Sequence, residues 1–276
     1  MRRAFCGLGI CLALIAVGCG GGKRQDPILA LSAEEALTQG KMALEAEKFF
    51  KARRLLTHAF EVAPNTALGR EALLLAADTF FLQGGEANLV QAEAKYRDYM
   101  NRFPTSDFAP YVQFQLGNCL AQRTKRADRD QSSTGKALAA YEEVLRLYPT
   151  SEYAARAREE IRAVRNQLAE HEYLVGKFYL GYGIYVAAIE RLEGVLEDYQ
   201  DYGEKDKVYL TLGQSYVKAG LNLKAFNIFE KLRREFPESP YVKDIPKLAL
   251  GKEGDSGTEE GGAAAEQTST EAKEDG

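Results

Sequence analysis

FPTSDF at residues 103–108, YPTSEY at 148–153 and FPESPY at 236–241 are one phrase written three times. Each opens on an aromatic residue, continues with proline and places serine three positions after the aromatic. Proline has no N–H to donate and ends a helix that reaches it. Serine suits the position just outside a helix, where its oxygen can accept from free N–H groups. The phrase therefore predicts, at three places, that one helix stops and another starts. VAPNT at 62–66 and DYQDY at 198–202 stand in equivalent places in weaker form, the second with Gln200 where the proline would be. Between these five marks the apolar residues recur at a helical period, and no alternating strand pattern stands out.

Counting back from each mark gives the spacing of the tetratricopeptide repeat, a helix–turn–helix unit of about 34 residues. The fifth unit is the clearest, with Tyr209, Leu212, Gly213, Tyr216, Ala225, Phe229, Leu232 and Pro237 in register. The fourth has Gly176, Ala188, Leu192 and Val195, the third has Gly117, Ala137 and Tyr141, and the first has Gly40, Ala52 and Ala59. The second carries Ala76, Ala77, Ala92 and Tyr96, with a longer turn at Gly84-Gly85. Small residues let paired helices approach, and aromatics fill the space opposite. Ser32 with Glu35 reads as a capping box ahead of the first unit. The segment from Glu152 to Leu168 is surplus to the repeat and reads as an extension of the fourth unit's first helix. The predicted fold is all-α, a superhelical solenoid of about five tetratricopeptide repeats. It divides into N-terminal repeats over 31–110 and C-terminal repeats over 111–246.

The ends of the chain read differently. Arg2 and Arg3 precede an apolar stretch from Ala4 to Val17, too short for a comfortable bilayer span. Residues 1–18 read as a secretory signal. Gly18 before Cys19 reads as a lipoprotein cleavage site, with Cys19 acylated. Ala16 stands where such sites usually carry leucine. Two or three acyl chains hold a protein durably at a membrane. Residues 19–30 are then the lipidated cysteine and a flexible linker. Gly20, which is not aspartate, favours delivery to the outer membrane. Residues 247–276 carry eight acidic residues against three lysines and few aromatics, and read as a disordered acidic tail.

No catalytic set stands out. The two histidines, His58 and His171, lie far apart with no Cys or His at metal-ligand spacing. No phosphate loop of the G-x-x-x-x-G-K type occurs. With the signal removed and Cys19 acylated, Cys119 remains as a lone thiol in a helical pattern, which reads as a packed core residue. A formal net charge of −4 does not suit nucleic acid. The expectation is a non-enzymatic binding scaffold with no cofactor and no metal, because repeat solenoids offer extended surfaces to other polypeptides.

Residues 126–199 resemble the BamD family, lipoproteins of the machinery that inserts β-barrels into bacterial outer membranes. The most specific part is LAEHEYLVGKFYLGYGIYVAAIERLEGVLEDY, where Glu172, Tyr173, Val175, Tyr179, Gly183, Val186, Ala187, Arg191, Glu193 and Gly194 match the family pattern. The five repeats and the lipoprotein signal agree with it; Gln200 and the acidic tail depart from it. The resemblance implies a scaffold anchored on the periplasmic face of the outer membrane. Its C-terminal repeats would hold the periplasmic POTRA region of a BamA-like barrel protein. Its N-terminal repeats would receive the targeting signals of unfolded outer-membrane barrel proteins, and other assembly lipoproteins could join. The alternative is a tetratricopeptide lipoprotein of another envelope machine, for pilus or secretin assembly or for the Tol system.

Candidate residues follow from both lines. Arg191, with Glu193, Tyr182 and Tyr185, is the candidate contact for the BamA-like partner; an intrahelical ion pair is the other reading of Arg191. Leu37, Leu44, Leu74 and Phe81, flanked by Lys41 and Asp78, are the candidate peptide groove; packing against the next repeat is the other reading of Leu37 and Leu74. The loop Arg123–Asp130, with four basic and two acidic side chains, reads as structural or partner-binding. Replacing Cys19 by serine is expected to leave the chain unacylated and to move it from the membrane fraction to the soluble periplasmic fraction. A variant that stays with the outer membrane after cell fractionation would contradict the anchor.

Overall fold

The computed structural model describes residues 26–247. The signal at 1–18, Cys19 and the tail beyond Lys247 lie outside the described residues. Among the described residues there are ten α-helices, two short 3₁₀ turns and no strand. In order the helices are α1 (Ala33–Glu45), α2 (Phe49–Val62), α3 (Ala67–Gln83), α4 (Glu86–Arg102) and α5 (Ala109–Ala121). They continue with α6 (Ser132–Leu147), α7 (Glu152–Gly181), α8 (Tyr185–Asp198), α9 (Lys205–Lys218) and α10 (Asn222–Glu235). They form five helical hairpins in sequence, α1–α2 through α9–α10, with the tetratricopeptide pattern of residues. None of these helices is long and apolar enough to cross a membrane.

The three-fold phrase folds as one structure. At Phe103, Tyr148 and Phe236 the residue after the helix adopts φ −133, −132 and −134° with ψ 59, 53 and 59°. Its carbonyl then accepts from the serine N–H three residues on, at 3.1, 3.1 and 3.0 Å. Proline fits the second position of such a turn because its ring presets φ. Ala63 makes the same turn to Thr66 at 3.2 Å, and Tyr199 makes it to Tyr202 at 2.9 Å. Gln200 thus replaces proline without altering the bond. The serines do less capping than expected. Ser106 Oγ accepts from Phe108 N and Ser239 Oγ from Tyr241 N, each at 3.2 Å, but Ser151 Oγ donates back to the Tyr148 carbonyl at 2.9 Å. The proline turn, more than the serine, ends one helix and aims the next. The capping box at α1 is present: Ser32 Oγ accepts from Glu35 N at 3.2 Å, and the Glu35 carboxylate accepts from Ser32 N at 2.9 Å.

Within the hairpins the helices touch at glycine. A β-carbon on Gly213 would sit 2.2 Å from Phe229 Cε1, and one on Gly117 would sit 2.4 Å from Tyr141 Cε1. Gly40 against Leu56 and Gly176 against Leu192 hold the same place in their hairpins. The second hairpin uses buried Ala77 and Ala92 in the same core. The small residue and the large residue opposite it are one packing device.

The chain forms two compact units. The first holds the described residues up to Lys125 together with 131–164; the second holds 126–130 and the chain from Arg165 onward. The division falls inside α7, so α5 and α6 pack with α1–α4, although the sequence grouped them with the later repeats. The first unit has one core around Leu37, Leu55, Leu56 and Ala59, and another around Tyr96, Tyr99, Leu73 and Val112. In the second unit Leu192, Val195, Leu212, Phe229 and Leu232 form the core. The loop 126–130 joins the second unit, where the His171 ring Nδ1 lies 2.6 Å from the Ala127 carbonyl oxygen.

Gly213→Ala is expected to destabilise the chain by about 1–3 kcal/mol through overpacking against Phe229. Gly135→Ala, where the added carbon meets nothing, should stabilise by about 0.5–1 kcal/mol. Urea-unfolding midpoints measure both, and equal midpoints for the two variants would contradict the packing account.

Candidate partner-binding surfaces

The second unit's candidate surface begins with a turn made twice. After α7 the chain reverses through Gly183 at φ 77°, and after α9 through Gly220 at φ 77°. Ile184 N donates to the Tyr179 carbonyl at 2.9 Å, and Leu221 N to the Tyr216 carbonyl at 2.8 Å, closing both helix ends alike. The residue after each glycine is apolar, as is the residue two further on. Ile184 and Val186 in one turn therefore correspond to Leu221 and Leu223 in the other. All four are exposed, Val186 to 68% and Leu223 to 71%. Phe178 and Tyr182 add two exposed rings, 4.4 Å apart between centroids. Contiguous exposed apolar side chains such as the Phe178–Tyr182 pair mark interaction surfaces more often than isolated ones do.

A cleft of about 760 Å³ adjoins this edge, lined by Leu180, Tyr182, Tyr185, Val217, Lys218 and Pro246 among others. The structure thus brings Tyr182 and Tyr185 together. Arg191 lies further along α8, where its guanidinium meets the Glu172 carboxylate of α7 at 2.8 Å. That pair joins two helices, so the alternative reading of Arg191 as an intrahelical ion pair is corrected to a pair across the hairpin. Both side chains retain part of their exposure and border a shallow depression with Glu190, Gly194 and Tyr199. Glu193 is turned toward α9 and accepts from the Tyr216 hydroxyl. It serves the hairpin stack and does not share the Arg191 surface.

At the other end of α9 lies a buried lysine. Lys207 donates to Glu170 at 2.6 Å and to Glu204, and its ammonium lies 4.7 Å from the Tyr173 ring centroid. Burial opposes its charge, but the bonds to Glu170, Glu204 and Tyr202 outweigh burial and hold its pKa above the usual lysine value. The network ties α7 to α9 by charge as well as by apolar contact.

In the first unit the candidate groove divides. Leu37 and Leu74 are 7% and 4% exposed and belong to the two cores, so they act here as packing residues. Leu44 and Phe81 are half-buried at the edges of those cores. Lys41 is at the surface, paired with Glu71 at 2.6 Å. Asp78 is not a rim residue: it is buried and accepts from Tyr96 Oη at 2.6 Å and Tyr111 Oη at 3.0 Å. Burial pushes its pKa up to about 6, and the two tyrosine bonds limit the rise. Cys119 is fully buried, and burial raises its thiol to about 12, which suits packing and not reactivity. Among the described residues no group of His, Cys, Asp and Glu could hold a metal.

The YfiO family, described as outer membrane lipoprotein, matches residues 30–224. The chain belongs to that family. The YfiO match includes α1 to α9 with Arg191, Tyr182 and Tyr185, and stops within α10. An outer membrane protein assembly factor BamD from Caulobacter vibrioides is 32% identical over 150 residues, 54% of this chain and 49% of that protein. The chain thus spans about half the length of that relative. The factor of the same name from Rickettsia prowazekii is 25% identical over 237 residues, covering 86% of this chain and 93% of its own. Among solved structures, the TPR2AB domain of yeast Sti1 aligns at a TM-score of 0.42 with 15% identity, over 76% of this chain and 80% of its own. The type IV pilus biogenesis factor PilW aligns at 0.32 with 15% identity, over 80% and 84%.

Sequence reasoning missed Phe178 and Leu223, and it named Val186 and Glu172 as family-pattern residues without placing them among the candidate contacts. The signal for Val186 and Leu223 was present, since each follows a turn glycine by three residues on the outer side of its helix. Asp78 yields a pH prediction. Its carboxyl binds a proton near pH 6 when folded and near 3.8 when unfolded. Between those values the folded chain holds the extra proton, so stability should fall as pH rises, by on the order of 2–3 kcal/mol, and level off above pH 6. Asp78→Asn should flatten that slope in unfolding curves taken between pH 4 and 7; an unchanged slope would contradict the assignment.

Proposed function

We propose that this chain is a non-enzymatic scaffold lipoprotein of outer-membrane β-barrel assembly, anchored through Cys19 on the periplasmic face of the outer membrane. The second unit docks the periplasmic region of a BamA-like barrel protein. The N-terminal repeats receive the targeting signals of unfolded barrel proteins, where Leu44 and Phe81 keep surface to offer and Leu37 and Leu74 do not. Membership of the YfiO family and the names of the relatives support the assembly role.

The observation that carries the docking assignment is the exposure of Phe178, Tyr182, Ile184 and Val186 at the end of α7 and of Leu221 and Leu223 at the matching turn after α9. Interfaces concentrate their energy in a few aromatic and arginine anchors surrounded by apolar contact. Tyr182 supplies the aromatic anchor and Arg191 the guanidinium. One guanidinium nitrogen of Arg191 is engaged by Glu172, and the side chain is 49% exposed, so a partner carboxylate can fork onto what remains.

Val186→Asp with Leu223→Asp tests this, because both side chains lie at the surface and the fold does not use them. Capture of the BamA-like protein from the same cells should fall by roughly tenfold or more, with the helical circular dichroism unchanged. Arg191→Glu should weaken capture in the same assay. Undiminished capture by the double variant, or capture of a secretin or Tol component in place of the barrel protein, would overturn the reading.

A further inference from the structure

The 3₁₀ turn Pro27–Ala30 is held on the first unit from several sides, yet it leaves a leucine in water. Asp26 caps it, its carboxylate accepting from Ile28 N at 3.1 Å and pairing with Arg54 of α2. The Leu31 carbonyl oxygen lies 3.0 Å from the His58 ring Nε2. Ile28 and Leu31 pack half-buried on the core around Leu55 and Leu56. Leu29, between them, is 65% exposed. Beside the turn, Phe50, Arg54, Thr57 and Glu61 form the outer stripe of α2, all exposed and at helical spacing. Phe50 is 71% exposed, with the Arg54 guanidinium carbon 5.9 Å from its ring centroid. Leu29, Arg54, Thr57 and Glu61 line one shallow depression. Arg54 thus links the two exposed apolar side chains into a single face. Among the described residues no helix precedes α1, and the free face of a terminal repeat is ordinarily polar.

We propose that this face, Leu29 and Phe50 flanked by Lys48 and Lys51, lies on the phospholipid surface of the membrane that holds the chain. The occupant follows from where the described chain begins. The seven residues from Cys19 to Asp26 reach at most about 25 Å. An acylated Cys19 therefore keeps the 3₁₀ turn within that distance of the bilayer; this step rests on the anchor assigned above. A tethered face meets the bilayer at high local concentration, so a contact too weak for a free chain is occupied. Leu29 and Phe50 enter the boundary between headgroups and acyl chains. Lys48 and Lys51, both exposed, reach the phosphates from long apolar stems. Charge on the face itself is nearly balanced: Glu47 and Glu61 oppose the two lysines, and Asp26 takes up Arg54. The positive excess comes from Lys23 and Arg24, since residues 20–25 contain no acid. The apolar pair carries the contact, and anionic headgroups strengthen it.

The test supplies the tether. The chain from residue 19 onward, with Cys19→Ser and a hexahistidine tag ahead of it, is held on vesicles of phosphatidylethanolamine, phosphatidylglycerol and a nickel-chelating lipid. The sequence has no tryptophan, so Phe50→Trp, Leu29→Trp and, as a control in α6, Leu147→Trp each introduce a single reporter. Tryptophan at 29 or 50 should shift its emission to the blue on the vesicles, and brominated lipid should quench it roughly threefold more than at 147. Phe50→Asp in the Leu29→Trp chain should remove roughly half of that quenching or more, with the helical circular dichroism unchanged. Quenching at 29 and 50 no greater than at 147, or left whole by Phe50→Asp, would overturn the proposal. Because the histidines replace the acyl chains, neither result depends on whether Cys19 is lipidated. Failure of the anchor itself would show separately, as the unmodified full-length chain leaving the membrane fraction.

Discussion

A carbonyl at φ near −130° accepting an N–H three residues later is the constraint from which the rest of this structure follows. It recurs at Ala63, Phe103, Tyr148, Tyr199 and Phe236, with ψ between 53 and 59° each time. A helix entering such a turn leaves it in a fixed direction. The following helix then meets its neighbours at a fixed place, and a glycine or alanine must stand there. Large residues such as Tyr141 and Phe229 fill what the small ones leave open. Turn and packing are thus mutually dependent: the turn without the small residue would clash, and the small residue without the turn would leave a void.

Repetition also explains where the surface chemistry lies. Residues after Gly183 and Gly220 occupy matching positions, so a single apolar choice made twice gives a row: Ile184 and Val186, then Leu221 and Leu223. The corresponding turn after α1 has Glu47 in the left-handed conformation and exposed Phe50. Function in such a fold is written at positions the core does not need. Residues that look functional by type can be claimed by the core. Leu37, Leu74 and Asp78 were claimed in this way, and Glu193 was claimed by Tyr216.

The architecture was legible because its signals are local and repeated. Proline cannot continue a helix, glycine at the crossing cannot be enlarged, and five copies make the reading redundant. The candidate sites were legible only in part. Tyr182 and Tyr185 could be placed because they flank turn glycines. The partner of Arg191 could not, since Glu172 lies 19 positions away on another helix and ion pairs leave no periodic trace. The burial of Asp78 was equally hidden. A carboxylate in a helix usually faces water, and only the convergence of Tyr96 and Tyr111 from two other helices makes a buried one tolerable. The boundary between the two units inside α7 likewise depends on which helices pack together, which no local pattern states.

The central claim is that the apolar edge of the second unit is a docking face for the periplasmic region of a BamA-like barrel protein. Hydrogen–deuterium exchange of the full chain, with and without that purified periplasmic region, tests it most directly. The account predicts slowed exchange over 178–186 and 219–224, extending to the backbone around Arg191. Binding that slows exchange only in the first unit, or leaves both of these turns unchanged, would contradict it.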